Sequence, residues 1–311
     1  MSSPKQKGDQ ILMQRKRTIL MYGRTRAGKS TQIGELAEHI FKTEGKTTRL
    51  YTVDRGGADP VRPYVDLGII EVIEQLDSDP WIFLNKATRG MVRDKTTGKW
   101  VNGENTNIGM FAFESMTSFA DALMASLAEK SAEGINIAGQ ANVSFTMTGD
   151  GETLKVGGSN MGHYNVVQTR ITNEVWNSQK LNAPYILWTA SVSKDDDQVS
   201  VGKVLGPAVV GKALTAEVPR WFNLTFRIDA IAAQAGKPER HVLYLGNSVD
   251  QTAGNATSLG NTRTPKDAPE LPSMLEPASL VKALELIDGG YGKALEAIKA
   301  RLASSNISFN N

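Results

Sequence analysis

No cysteine occurs anywhere in the 311 residues, which excludes disulfides, thiol catalysis and thiolate metal sites and suits a reducing cytoplasm. Histidine is nearly as scarce: His39, His163 and His241 are scattered and fit no metal-ligand spacing. An excess of either charge is also missing. With 35 Lys and Arg against 33 Asp and Glu, the net +2 gives no global field of the kind that marks a nucleic-acid binder. No apolar run approaches membrane-spanning length, and the polar opening MSSPKQKGDQ lacks the apolar region of a signal peptide. A soluble, cytoplasmic chain with no membrane partner is expected.

What is present is concentrated in Tyr22 to Thr31, YGRTRAGKST. Gly23, Gly28, Lys29 and Ser30 fill every fixed position of G-x-x-x-x-G-K-[ST], the Walker A pattern. Glycines let the backbone turn tightly and bring N–H groups against phosphate oxygens, and the following helix adds its positive dipole end. Lys29 supplies a compact charge for β/γ-phosphates, and the Ser30 hydroxyl suits Mg²⁺. The context fits: Thr18 to Tyr22 is a short apolar strand, and Ile33, Leu36, Ala37, Ile40 and Phe41 recur at helical spacing. The expected nucleotide-binding set is Gly23, Arg24, Thr25, Arg26, Ala27, Gly28, Lys29, Ser30 and Thr31, with ATP and Mg²⁺ as ligands. Lys5, Lys7, Arg15, Lys16 and Arg17 read as a solvated basic tail over residues 1–17.

Further along, strands alternate with helices, which predicts an α/β fold: a mostly parallel sheet with helices on both faces and ligands at the carboxyl ends of the strands. TTRLYTVD ends in Asp54, IGMFAFES in Glu114 and Ser115, and APYILWTAS in Ser191, so Asp54, Glu114 and Ser191 are expected to converge on the loop. Asp79 and Pro80 open a helix, MVRDKTTGKWVN is a hairpin, and VSKDDDQVSVGKVLGP is a polar loop. Residues 132–162 form a Gly-rich hairpin insertion. The segment 251–311 reads as a linker followed by two helices broken at Gly289 and Gly290.

This order of parts, over roughly Arg17 to Ala230, resembles RecA-like P-loop ATPases, most closely the phage-encoded RecA-like AAA ATPases of single-strand annealing and recombination. VDRGGADPVRPYVDLGI is similar to that family's second-strand acid and Asp-Pro turn, FAFESMTSF to its Walker B strand, and GPAVVGKAL to the segment whose basic residue reaches a neighbouring subunit's nucleotide. The resemblance implies a domain over 18–250, Lys29, Glu114, Asp54 and Lys212 as catalytic residues, and Ser30 with Glu114 at the metal. It also implies a homo-oligomer, ring or filament, that acts on single-stranded DNA through the 132–162 hairpin. Two readings of that hairpin stand side by side: Lys155 meets a phosphate and Phe145 a base, or Val143, Phe145 and Met147 form an apolar face that packs on a neighbouring subunit.

Three features depart from the family: Glu114 replaces an aspartate, Arg55 and Gly56 stand where a water-polarising glutamate is expected, and Ser191 stands near where a sensor glutamine is expected. Each candidate also has a plain structural role, with Glu114 capping a helix, Asp54 closing a turn and Lys212 a solvated helix lysine. The expected activity is ATP hydrolysis coupled to DNA recombination, annealing or replication. The alternatives are a nucleotide-binding assembly ATPase with weak hydrolysis and a P-loop small-molecule kinase, which would need an arginine-rich lid beyond Arg24 and Arg26.

Overall fold

The computed structural model describes residues 16–54, 56–75, 79–103, 106–132, 143–149, 152–158, 161–195, 204–210, 212–233, 239–246, 248–250, 256–258, 261–262 and 268–304. Most of the tail 1–17, together with Arg55, Asp196 and Asp197, lies outside them.

Six strands run parallel: β1 (Arg17–Gly23), β2 (Thr47–Thr52), β3 (Ile70–Glu74), β4 (Ile108–Glu114), β5 (Tyr185–Ala190) and β6 (Leu224–Ile231). Their lateral order is β6-β1-β5-β4-β2-β3, so β5 separates the loop-bearing β1 from the acid-ended β4. Beyond β6 the sheet turns antiparallel through β7 (Arg240–Tyr244), β8 (Asn261–Thr262) and β9 (Met274–Leu275), giving nine strands. β1 and β4 are buried along their whole length, as near-continuous apolar strands of a two-faced sheet must be.

Alternation along β1 divides the core. Leu20 and Tyr22 face α3 (Pro80–Ala87), α4 (Met116–Ala132) and α5 (Met161–Ser178), whereas Ile19 and Met21 face α1 (Lys29–Glu44) and the C-terminal helix α7 (Leu280–Ser304). On the first face Trp188, Phe113 and Tyr51 stack across β5, β4 and β2 at centroid spacings of 4.4 and 5.5 Å. Asp79 caps α3 by accepting from the N–H groups of Trp81 and Ile82, and Pro80 opens it, as the sequence indicates.

Three features differ from expectation. Arg17 belongs to β1 rather than to a solvated tail; its side chain is buried and ion-paired with Asp288 of α7. The helix at 280–304 continues through Gly289 and Gly290, because Leu280, Ala283, Leu284, Ile287 and Ala294 hold an unbroken packed stripe that outweighs the roughly 1 kcal/mol cost of each glycine. Residues 192–195 and 204–207 form an antiparallel ladder, part of a small sheet with 256–258 and 248–250, where a polar loop is expected. Polar composition hides such strands, because their stability comes from backbone pairing.

The insertion hairpin forms from Val143–Gly149 and Glu152–Gly158, and its second strand runs alongside α4 of the same chain. The side chains of Phe145 and Lys155 fall outside the described residues. No described helix is long and apolar enough to cross a membrane.

Candidate functional site

β1 ends where its backbone meets β6. A Cβ on Gly23 would lie 2.0 Å from the Ile228 carbonyl oxygen, so only glycine fits there. The chain then turns through Arg26 and Gly28, both left-handed at φ 65° and 98°, before α1 begins at Lys29. No side chain caps α1 and no acid lies in its first turn, so its N-terminal N–H groups are open to an anion. Lys29 Nζ donates to the carbonyls of Gly23 and Arg24, both at 2.9 Å, which folds the ammonium along the loop. Burial holds Lys29 below its ordinary pKa of 10.5, against the opposing pull of Glu114 and Asp54.

Glu114 closes β4 beneath the loop. The Ser30 hydroxyl donates to its Oε1 at 2.6 Å, while Oε2 is buried with no hydrogen-bond partner. Burial is the largest cause of a pKa raised to about 7, against the hydrogen bond from Ser30 and the charge of Lys29. The Glu114–Ser115 peptide bond is cis. Asp54, just past β2, accepts from Ser118 Oγ at 2.7 Å, and Ser118 Oγ lies 2.8 Å from Ser115 Oγ.

These groups line one cavity of about 590 Å³, with Thr25, Arg26, Gly28 and Thr31 on the loop side and Asp54, Glu114, Ser115 and Ser191 at the strand ends. Asp54, Glu114 and Ser191 therefore do converge, as parallel strands ending at one sheet edge require. Gly23 and Arg24 contribute carbonyls to Lys29, Arg24 lies 4.0 Å from Asp229, and Ala27 is buried under the turn. Lys212 opens the short helix α6 (Lys212–Glu217), and its side chain is outside the described residues. The strand before α6 is tied to the site, since Ala208 N–H donates to Ser191 O and Thr117 Oγ1 donates to Ala208 O at 2.6 Å.

The donor set suits Mg²⁺. A hydroxyl and a carboxylate meet at the start of α1, one carboxylate oxygen is orphaned, and Mg²⁺ is ordinarily held by one or two protein groups plus phosphate oxygens and water. Among the described residues no three acidic or imidazole groups gather into a protein-only metal cage.

His241 also lines the cavity, with Nδ1 3.1 Å from Ala27 O, and sequence reasoning set it aside as one of three scattered histidines. It arrives on β7 by antiparallel pairing with β6, opposite Ala230, and no local spacing announces that. Gly56, Gly57 and Pro60 line the cavity from a segment legible only as a turn. Compared with known proteins, the chain matches no family model and no curated protein.

Proposed function

We propose that the chain is a RecA-like P-loop ATPase that binds ATP with Mg²⁺, hydrolyses it and acts on DNA as a homo-oligomer. The observation that carries the ATPase reading is the Ser30–Glu114 contact: an apolar strand ending in a carboxylate, bonded to the hydroxyl that follows the loop lysine, with one oxygen left over. In this reading the loop N–H groups and Lys29 hold the β- and γ-phosphates, and Lys29 exchanges the carbonyls of Gly23 and Arg24 for phosphate oxygens. Ser30 and Glu114 would hold Mg²⁺, which neutralises charge developing between the β- and γ-phosphoryl oxygens. Asp54, with one oxygen held by Ser118, would stand at the γ-phosphate end of the cavity. Lys212, four residues beyond the tethered Ala208, takes from the resemblance alone the role of reaching a neighbouring subunit's phosphates.

The DNA role and the oligomer rest on the resemblance, with the 143–158 hairpin as the strand-contacting element. A nucleotide-driven assembly protein with weak hydrolysis is the second reading, favoured by Arg55 and Gly56 standing where the family carries a water-polarising glutamate and by the engagement of the neighbouring Asp54 with Ser118. Turnover measured with Mg²⁺, with and without single-stranded DNA, separates them, because only the first reading expects stimulation. Lys29→Ala is expected to lower turnover by about a hundredfold or more and to weaken ATP binding. Unchanged turnover in that variant overturns the ATPase reading.

A further inference from the structure

A second cavity, of about 410 Å³, lies on the other side of the glycine loop and shares Gly28, Thr31 and His241 with the first. Its character differs. The first cavity is walled by carboxylates, hydroxyls and Lys29, whereas the second has an apolar floor of Ala27, Ile228, Pro277 and Ala278 beneath a polar rim. That is the build of a site for a flat, largely apolar ligand oriented by a few hydrogen bonds.

The rim is organised by Gln32, which is buried and fully engaged: its amide donates to Ala278 O at 3.3 Å and to Glu35 Oε2 at 2.8 Å, and its oxygen accepts from Leu280 N–H. One oxygen of Glu35 is thereby fixed, and Oε1 has no partner among the described residues. Across the cavity Arg240 Nη1 is held by both oxygens of Glu276, at 2.9 and 3.1 Å, so that arginine is not a free anion site.

We propose that this second cavity is the nucleoside subsite, and that Glu35 Oε1 reads an amino group on the base. The inference rests on the ATPase reading above and deepens it. A nucleotide with its terminal phosphates at Lys29 and Ser30 carries its α-phosphate to the first turn of α1, and the sugar then leaves over Thr31, which is exposed and lines both cavities. The base comes to rest on Ile228 and Ala278. An amino group there donates to Glu35, while a carbonyl in its place faces a carboxylate and leaves it unpaired, which is the kind of mismatch that discriminates strongly. The expected preference is ATP over ITP, which carries a carbonyl where ATP carries the amine.

Equilibrium binding of three probes in the presence of Mg²⁺, to the full chain and its variants, tests this. Inorganic tripolyphosphate samples the phosphate site alone. The wild type is expected to bind ATP about tenfold or more tightly than tripolyphosphate, and ATP about tenfold more tightly than ITP. Ala278→Trp, which fills the second cavity, is expected to erase the margin of ATP over tripolyphosphate while tripolyphosphate still binds, which also reports an intact fold. Glu35→Gln, whose amide can donate to a carbonyl, is expected to bring ATP and ITP within about threefold. If both margins survive these variants, the subsite is overturned and the phosphate reading stands. If tripolyphosphate binding is absent, or is indifferent to Lys29→Ala, the phosphate reading falls and takes the subsite with it.

Discussion

Glu114 and Glu174 are both almost fully buried acids, 6% and 1% exposed, and their surroundings could hardly differ more. Glu174, on α5, is saturated: Asn85 and Asn177 donate at 3.0 and 3.1 Å, Thr88 donates its hydroxyl, and Arg170 and Arg89 add charge at 3.0 and 3.4 Å. Burial works against its ionisation, but those hydrogen bonds and the Arg170 charge prevail and hold it below the ordinary glutamate value. Glu114 receives one hydroxyl and keeps a bare oxygen, and burial pushes it up to about 7. A buried carboxylate that serves packing and orientation collects every donor it can accept. One left short in a cavity wall retains capacity for something that arrives later.

The widest break in that comparison comes from swapping each acid for its amide. Glu114→Gln is expected to lower ATP turnover by about a hundredfold and raise the Mg²⁺ needed for half-maximal activity, with little loss of stability. Glu174→Gln is expected to reverse the pattern, costing about 3 kcal/mol in urea unfolding with turnover unchanged, because an amide N–H₂ would face donors that now all point at oxygen. An Mg²⁺ titration curve unmoved in Glu114→Gln would return that residue to a packing role.

Stability against pH sharpens the contrast, since the two groups carry opposite signs. Between pH 4.5 and about 7 native Glu114 holds a proton that the unfolded chain has released, so its contribution, of order 3 kcal/mol, declines as pH rises through that window. Native Glu174 has released a proton that the unfolded chain still holds on the acid side of 4.5, so its contribution is present above that pH and is lost as pH falls. Urea melts from pH 2 to 8 in the absence of nucleotide should show Glu114→Gln without the first decline and Glu174→Gln without the acid-side loss. The smallest expected effect belongs to Ser118→Ala, which frees the second oxygen of Asp54 and should change turnover by about threefold without moving the Mg²⁺ curve.

Legibility in the sequence follows the range of the interaction. The strand, loop and helix around Lys29 are local, so the glycines and the spacing of Ile33, Leu36 and Ile40 suffice to read them. Asp54, Glu114 and Ser191 are far apart in sequence, but parallel strands bring their carboxyl ends to one edge whatever the connections are, and an acid or serine closing an apolar run marks that edge. His241 reaches the site on an antiparallel strand, and the direction of that strand is not written in its composition. The burial of Arg17 depends on Asp288, and the second cavity depends on Gln32 meeting Ala278 and Leu280; neither pairing leaves a local trace. The glycines of α7 mislead for the converse reason, because packing against α1 decides the outcome at positions where intrinsic propensity says stop.

The contacts of Gln32 with Ala278 and Leu280 join residues about 250 positions apart, and β9 closes the sheet edge beside them. During synthesis α1 emerges early, with one flank bare until α7 has left the ribosome. The loop ahead of α1 therefore acquires its final support among the last steps of folding. Such a chain has many non-local contacts and is expected to fold slowly, with early α1 surface in need of shielding in the interval.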